Sequence, residues 1–169
     1  MLLPQRMMKN ILKNEMKNGV EQFIHTMYFD GCSKGNPGIA GAGATIYNNH
    51  KEIWAGYSFV GKKSTNNEAE YNGLILGLQK AIEMKIPTLY VNGDSQLIIY
   101  QMSGKYKCNS PNLLPLYETA KNLEKKFEHI EYGHVLRKLN HRADELSNIA
   151  IQKYFIKHHL DFKNRLDYK

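Results

Sequence analysis

The fold is decided by residues 22–60, QFIHTMYFDGCSKGNPGIAGAGATIYNNHKEIWAGYSFV. Gln22–Asp30 is rich in aromatic and β-branched residues and reads as a strand. Residues 31–38, GCSKGNPG, read as a turn-rich loop punctuated by Gly31, Gly35, Pro37 and Gly38. Gly41–Tyr47 and Lys51–Val60 read as two more strands, with Asn48-Asn49-His50 as the hairpin turn between them. Three strands joined this closely pair as an antiparallel meander.

Downstream, strands alternate with helices. Thr65–Met84 has apolar residues at Ala69, Leu74, Leu76, Leu78, Ala81 and Ile82. Thr65 is a candidate cap with Glu68 three residues on, and Pro87 follows the helix. Thr88–Asn92 is a short buried-type strand, Ser95–Met102 and Leu113–Lys126 are helices, Ile130–Arg137 is a strand, and Asn140–Tyr154 is the last helix. Strands that return after helices add in parallel, so an α/β fold with a mixed sheet and packed helices is expected. Residues 1–21 read as an arm, 22–154 as the domain and 155–169 as a basic tail.

Composition narrows the classes. The chain has 169 residues with 42% hydrophobic and 11% aromatic content, which suits one domain with a sizeable core. No apolar run approaches the ~20 residues of a membrane span. Cys32 and Cys108 form neither a disulfide framework nor a zinc spacing, so an intracellular location (cytoplasm or nucleus) is the default expectation. Lys and Arg number 23 against 16 Asp and Glu, a net charge of +7. Such a balance attracts phosphates without choosing a sequence.

The acids are more informative. Only five residues are aspartates, and the three before residue 150 (Asp30, Asp94 and Asp144) fall at element boundaries. Capping alone accounts for any one of them. Together with Glu70, facing inward from the long helix, they make a carboxylate cluster that a divalent cation would neutralise. All-oxygen ligands select Mg²⁺ or Mn²⁺ over zinc.

Four strings, YFDGCSKGNPGIAGAGA, STNNEAEYNGLILGL, VNGDSQLII and HRADELSNIA, resemble in order the motifs of type 1 ribonuclease H, over roughly Phe23 to Ala150. The resemblance implies a five-stranded sheet with three antiparallel and two parallel strands. It also implies cleavage of the RNA strand of RNA–DNA hybrids with two Mg²⁺ ions (Mn²⁺ as substitute), leaving 5′-phosphate and 3′-hydroxyl ends. Carried over by position, Asp30, Glu70, Asp94 and Asp144 are the catalytic, metal-holding acids. Asn36, Asn66, Asn67 and Gln96 are contacts to sugars and base edges, and Thr65 holds a phosphate of the DNA strand. The competing reading for these polar residues is turn formation and helix starting. A monomer with no membrane span and no small-molecule cofactor is expected.

The pattern departs from many relatives in two places. The segment YGHVLRKLNHRAD is short, and His141 is the candidate proton shuttle, with His134 the weaker one and a structural role the alternative for both. KYKCNSPNLLPLY leaves no room for a basic handle, although Lys105, Tyr106 and Lys107 offer a partial substitute. Trp54, on a strand, reads as core. Alternatives on the same fold are a non-catalytic nucleic-acid-binding module, a junction resolvase-like nuclease and a domain split from a reverse transcriptase.

Overall fold

The computed structural model describes residues 24–166. Five strands form one sheet in the order β3-β2-β1-β4-β5. β1 (His25–Lys34), β2 (Gly38–Asn48) and β3 (Lys51–Ser64) are the antiparallel meander, while β4 (Thr88–Gly93) and β5 (His129–His134) join in parallel. The two-residue turn after β2 has positive φ at both Asn49 (44°) and His50 (73°), which matches the right-handed twist of a tight hairpin. Residues 1–21 and the first two of the expected opening strand lie outside the described residues.

The sheet has a helical layer on each face. Thr65 caps α1 (Asn66–Glu83): its side chain accepts from the Glu68 amide, and the Glu68 carboxylate accepts from the Thr65 amide at 2.6 Å. α1, with α2 (Gln96–Met102) and α3 (Leu114–Glu124), covers a core built on Met27, Phe29, Leu74, Leu78, Leu89, Val91, Ile98 and Met102. Each large side chain so buried stabilises the fold by roughly 1.5–3 kcal/mol relative to exposure. The opposite face is covered by α4 (His141–Leu166), which buries Ala143, Leu146, Ser147, Ala150 and Ile151 at helical spacing. Trp54 is partly buried against the core, as its strand position suggested.

Several boundaries differ from expectation: β2 starts at Gly38 rather than Gly41, β3 runs past Val60 to Ser64, and three others have a clear cause. β1 runs through Lys34, because residues 31–34 keep pairing with β2 as far as Lys34↔Ile39; only residues 35–37 form a turn. The last strand ends at His134, where β4 ends beside it (Gly93↔His134), and residues Arg137–Leu139 form a 3₁₀ turn. α4 continues to Leu166, well past Tyr154, since nothing between them breaks a helix.

Candidate active site

Strand register brings the first two acids together. β1 and β4 run parallel, and their last pair is Phe29↔Gly93. Asp30 and Asp94 are the next residues on the two strands, so they emerge side by side. Asp30 therefore does not end its strand. It lies mid-β1, at the point where the β4 side stops and the β2 side continues (Asp30↔Gly43).

Glu70 arrives from α1, and two glycines let the helix sit directly on β1. A Cβ at Gly31 would overlap the Ala69 carbonyl and the Glu70 amide, and one at Gly73 would overlap the Asp30 carbonyl. Gly31 thus serves a close approach rather than a tight turn. One carboxylate oxygen each from Asp30, Glu70 and Asp94 lie within 4.8 Å of one another.

Burial and mutual repulsion act on this trio. Burial first, then Asp94 and Asp144, push the Asp30 carboxyl up to about 7. Burial and the Asp30 and Asp94 charges push Glu70 well above the usual carboxylate range. Glu70 Oε2 is buried without a hydrogen-bond partner. An orphaned carboxylate oxygen beside two more carboxylates is a donor set suited to a hard divalent cation.

Asp144 is different. It stands in the first turn of α4, outside the 4.8 Å group, with its side chain 35% exposed and 3.6 Å from the Arg137 guanidinium. It is near enough to Asp30 to raise that group's pKa. The Ser147 hydroxyl links the two elements, lying 3.2 Å from Asp30 Oδ2 and 2.8 Å from the Asp144 carbonyl.

Two of the expected rim residues, Asn36 and Asn66, meet at the turn of the β1–β2 hairpin. Asn36 Oδ1 accepts from the Asn66 amide and Asn66 Oδ1 accepts from the Ser33 amide, both at 2.8 Å. These two side chains thus brace the hairpin turn against the start of α1. Thr65 is committed to its cap, and Asn67 is exposed. Gln96 is exposed at the first position of α2, after the Ser95 cap. His141 is exposed at the start of α4, whereas the His134 Nε2 lies 3.2 Å from the Asp94 carbonyl. Lys105 stands over the Tyr100 ring (4.4 Å), which packs edge-on against Tyr106.

Asn140 was missed. It is fully buried and donates from Nδ2 to the Phe29 carbonyl (2.9 Å) and to Asp94 Oδ1 (3.4 Å). Its own carbonyl accepts from the Asp144 amide at 3.1 Å. Its side chain thereby ties β1 beside Asp30 to the Asp94 carboxylate, while its backbone carbonyl holds the helix start that carries Asp144. Its only sequence signal is its place four residues before Asp144, which reads as a cap.

A five-stranded mixed sheet in this order, with one acid midway along β1 and a second just past the end of the adjacent β4, defines the ribonuclease H-like class. Comparison with known proteins agrees. Residues 28–150 match the family model described as reverse transcriptase-like. The bifunctional protein Rv2228c of Mycobacterium tuberculosis is 42% identical over 123 residues, covering 72% of this chain and 34% of that protein. Ribonuclease HI of Halobacterium salinarum is 38% identical over 125 residues, covering 73% of this chain and 62% of that protein. The structure of LC11-RNase H1, isolated from compost and in complex with an RNA/DNA hybrid, matches with TM-score 0.72 and 32% identity over 78% of this chain and 99% of that one. The chain belongs to the type 1 ribonuclease H family. It spans about a third of the length of the mycobacterial relative. Among the described residues no helix is long and apolar enough to cross a membrane.

Proposed function

We propose that the protein is an endoribonuclease that hydrolyses the RNA strand of RNA–DNA hybrids, leaving 5′-phosphate and 3′-hydroxyl ends. The observation that carries this reading is the trio Asp30, Glu70 and Asp94 with oxygens inside 4.8 Å and a partnerless Glu70 oxygen. Asp30, Glu70 and Asp94 would hold Mg²⁺ or Mn²⁺, and Asp144 would complete the set for two ions. When bound, such cations activate water and stabilise the departing oxygen of a phosphodiester.

The chain's own residues supply position. Asp30 and Glu70 face each other because α1 rests on β1, so the cluster is set before substrate arrives. Asn36, Asn66, Asn67 and Gln96 line the rim where sugars and base edges would pass, and Thr65 stands beside a DNA-strand phosphate. Because Asn36 and Asn66 already brace the hairpin turn with their Oδ1 atoms, their amide nitrogens remain for substrate. Glu70 would lie closest to the 2′-hydroxyl that distinguishes RNA. His141, exposed at the start of α4, would move a proton, with the chain acting as a monomer on its hybrid. The complex of the LC11 relative with a hybrid supports this substrate class.

The test is to incubate labelled RNA–DNA hybrid, duplex RNA, duplex DNA and four-way junction with Mg²⁺. The expected result is cutting of the RNA strand of the hybrid alone, absent in Asp30→Asn. Junction cutting, or hybrid binding without cutting, refutes the reading.

A further inference from the structure

Seven large apolar side chains are strongly exposed among the described residues, and two of them, Phe59 and Phe155, pack on one ring, that of Tyr154. Tyr154 of α4 stacks flat on Phe59 of β3, with centroids 4.2 Å apart and planes 3° from parallel. His158 lies against Tyr154 at 4.4 Å and Phe155 meets it at 5.8 Å. Tyr57 shares the face of Phe59, two residues along the strand. Phe59, Tyr57 and Phe155 are 38%, 45% and 50% exposed.

The sequence flanking this stack is mainly basic. There is no acidic residue in β3 and beyond from Ile53 to Asn67, nor in α4 from Leu146 to Leu160. The same stretches hold Lys62, Lys63, Lys153 and Lys157, all exposed. Lys153 and Lys157 are one helical turn apart and share a face. The partner must therefore be anionic, and a second copy of this face would repel it. Flat, fixed rings suit planar partners; a lipid surface would meet mainly aromatic side chains with Ile156 as the one aliphatic. A closed duplex would engage the lysines and leave the rings unused.

We infer that this face binds single-stranded nucleic acid, with bases stacking on Tyr57, Phe59 and Phe155 and phosphates held by Lys153 and Lys157. Aromatic stacking with cationic tracking of the backbone is how sequence-tolerant single-strand binding is built. The inference rests on the proposed function only in taking the bound strand to be a flank of the hybrid being cut.

The experiment is fluorescence anisotropy with labelled dT and U dodecamers in the absence of divalent cations, followed by cleavage of blunt and tailed hybrids with Mg²⁺. Phe155→Ala should weaken dodecamer binding roughly fivefold or more. Phe155→Leu, which keeps apolar bulk and so preserves folding, should weaken it as well. In Lys153→Glu/Lys157→Glu the slope of log K against log salt should be shallower by about 1.4, at about 0.7 per lost phosphate contact. Cleavage of blunt hybrid should stay within about twofold of wild type in all three, while the lower KM of a tailed hybrid disappears. Four results overturn the inference: wild-type dodecamer affinity in these variants, complete displacement of the dodecamer by blunt hybrid, capture of phosphatidylserine vesicles with no dodecamer binding, or a dimer that the substitutions dissociate. Blunt-hybrid cleavage tests the proposed function separately.

Discussion

Asp30, Glu70 and Asp94 are gathered by the framework, whereas Asp144 stands apart from them. The first three are placed by strand register and by a helix seated on glycine, so their approach is enforced by the packing of the core. The fourth sits on a helix start, faces water and has a cation of its own in Arg137. Asp30 and Glu70 are the buried pair of the cluster, both raised by burial and by neighbouring charge, so holding them ionised together costs stability.

The largest effect that tests this contrast is loss of an enforced acid. Asp30→Asn or Asp94→Asn should lower kcat on hybrid by roughly 10³-fold or more, the scale of removing an acting group. Activity near wild type would break the comparison at once. Next is Asn140→Ala, which removes the donor to Asp94. Loss of such outer partners typically costs about 10–100-fold in metal affinity, which calorimetric titration with Mg²⁺ would read apart from any fall in Tm. Asp144→Asn should cost less than Asp30→Asn, on the order of tenfold in kcat/KM, or about 1.4 kcal/mol. An equal loss would show that the fourth acid works as tightly as the other three.

Smaller still is a pH effect on the metal-free protein. The Asp30 pKa rises from 3.8 to about 7 on folding, so the folded state binds its proton more strongly. Stability is then greatest below the unfolded pKa, falls as pH rises between the two values, and reaches its floor above about 7. Melting scans in chelator should show Tm declining over that window, and Mg²⁺ should restore it most at the alkaline end. A flat profile would mean that neither burial nor the neighbouring acids raise the Asp30 carboxyl. Arg137→Ala should change stability by only about 0–1 kcal/mol, because its pair with Asp144 is exposed.

The sheet and its helices were legible because their signals are local: the aromatic and β-branched run at 24–30, the Asn49-His50 turn, and the Thr65–Glu68 capping pair. The three acids that the structure gathers, Asp30, Glu70 and Asp94, were legible through their motifs, whereas the expected convergence of Asp144 with them is not seen within 4.8 Å. What was not legible lies in long-range contact. Gly31 looks like a turn residue until α1 is laid on it. Asn140 looks like a helix start until its amide reaches Phe29, 111 residues earlier. The loop expected after Asp30 is strand because β2 continues beside it, a pairing that composition does not report. The last helix runs past Tyr154 because the change to basic composition at 155 does not stop a helix.

The helix that carries Asp144 also passes the aromatic stack. From Asp144 to Phe155 is eleven residues, about 17 Å at 1.5 Å per residue. That separation acts as a ruler. At about 3.4 Å per stacked nucleotide, an overhang shorter than about five nucleotides cannot reach the far end while its hybrid sits over the carboxylates. For the proposed single-strand face, the length of α4 would set the shortest overhang able to reach Phe155.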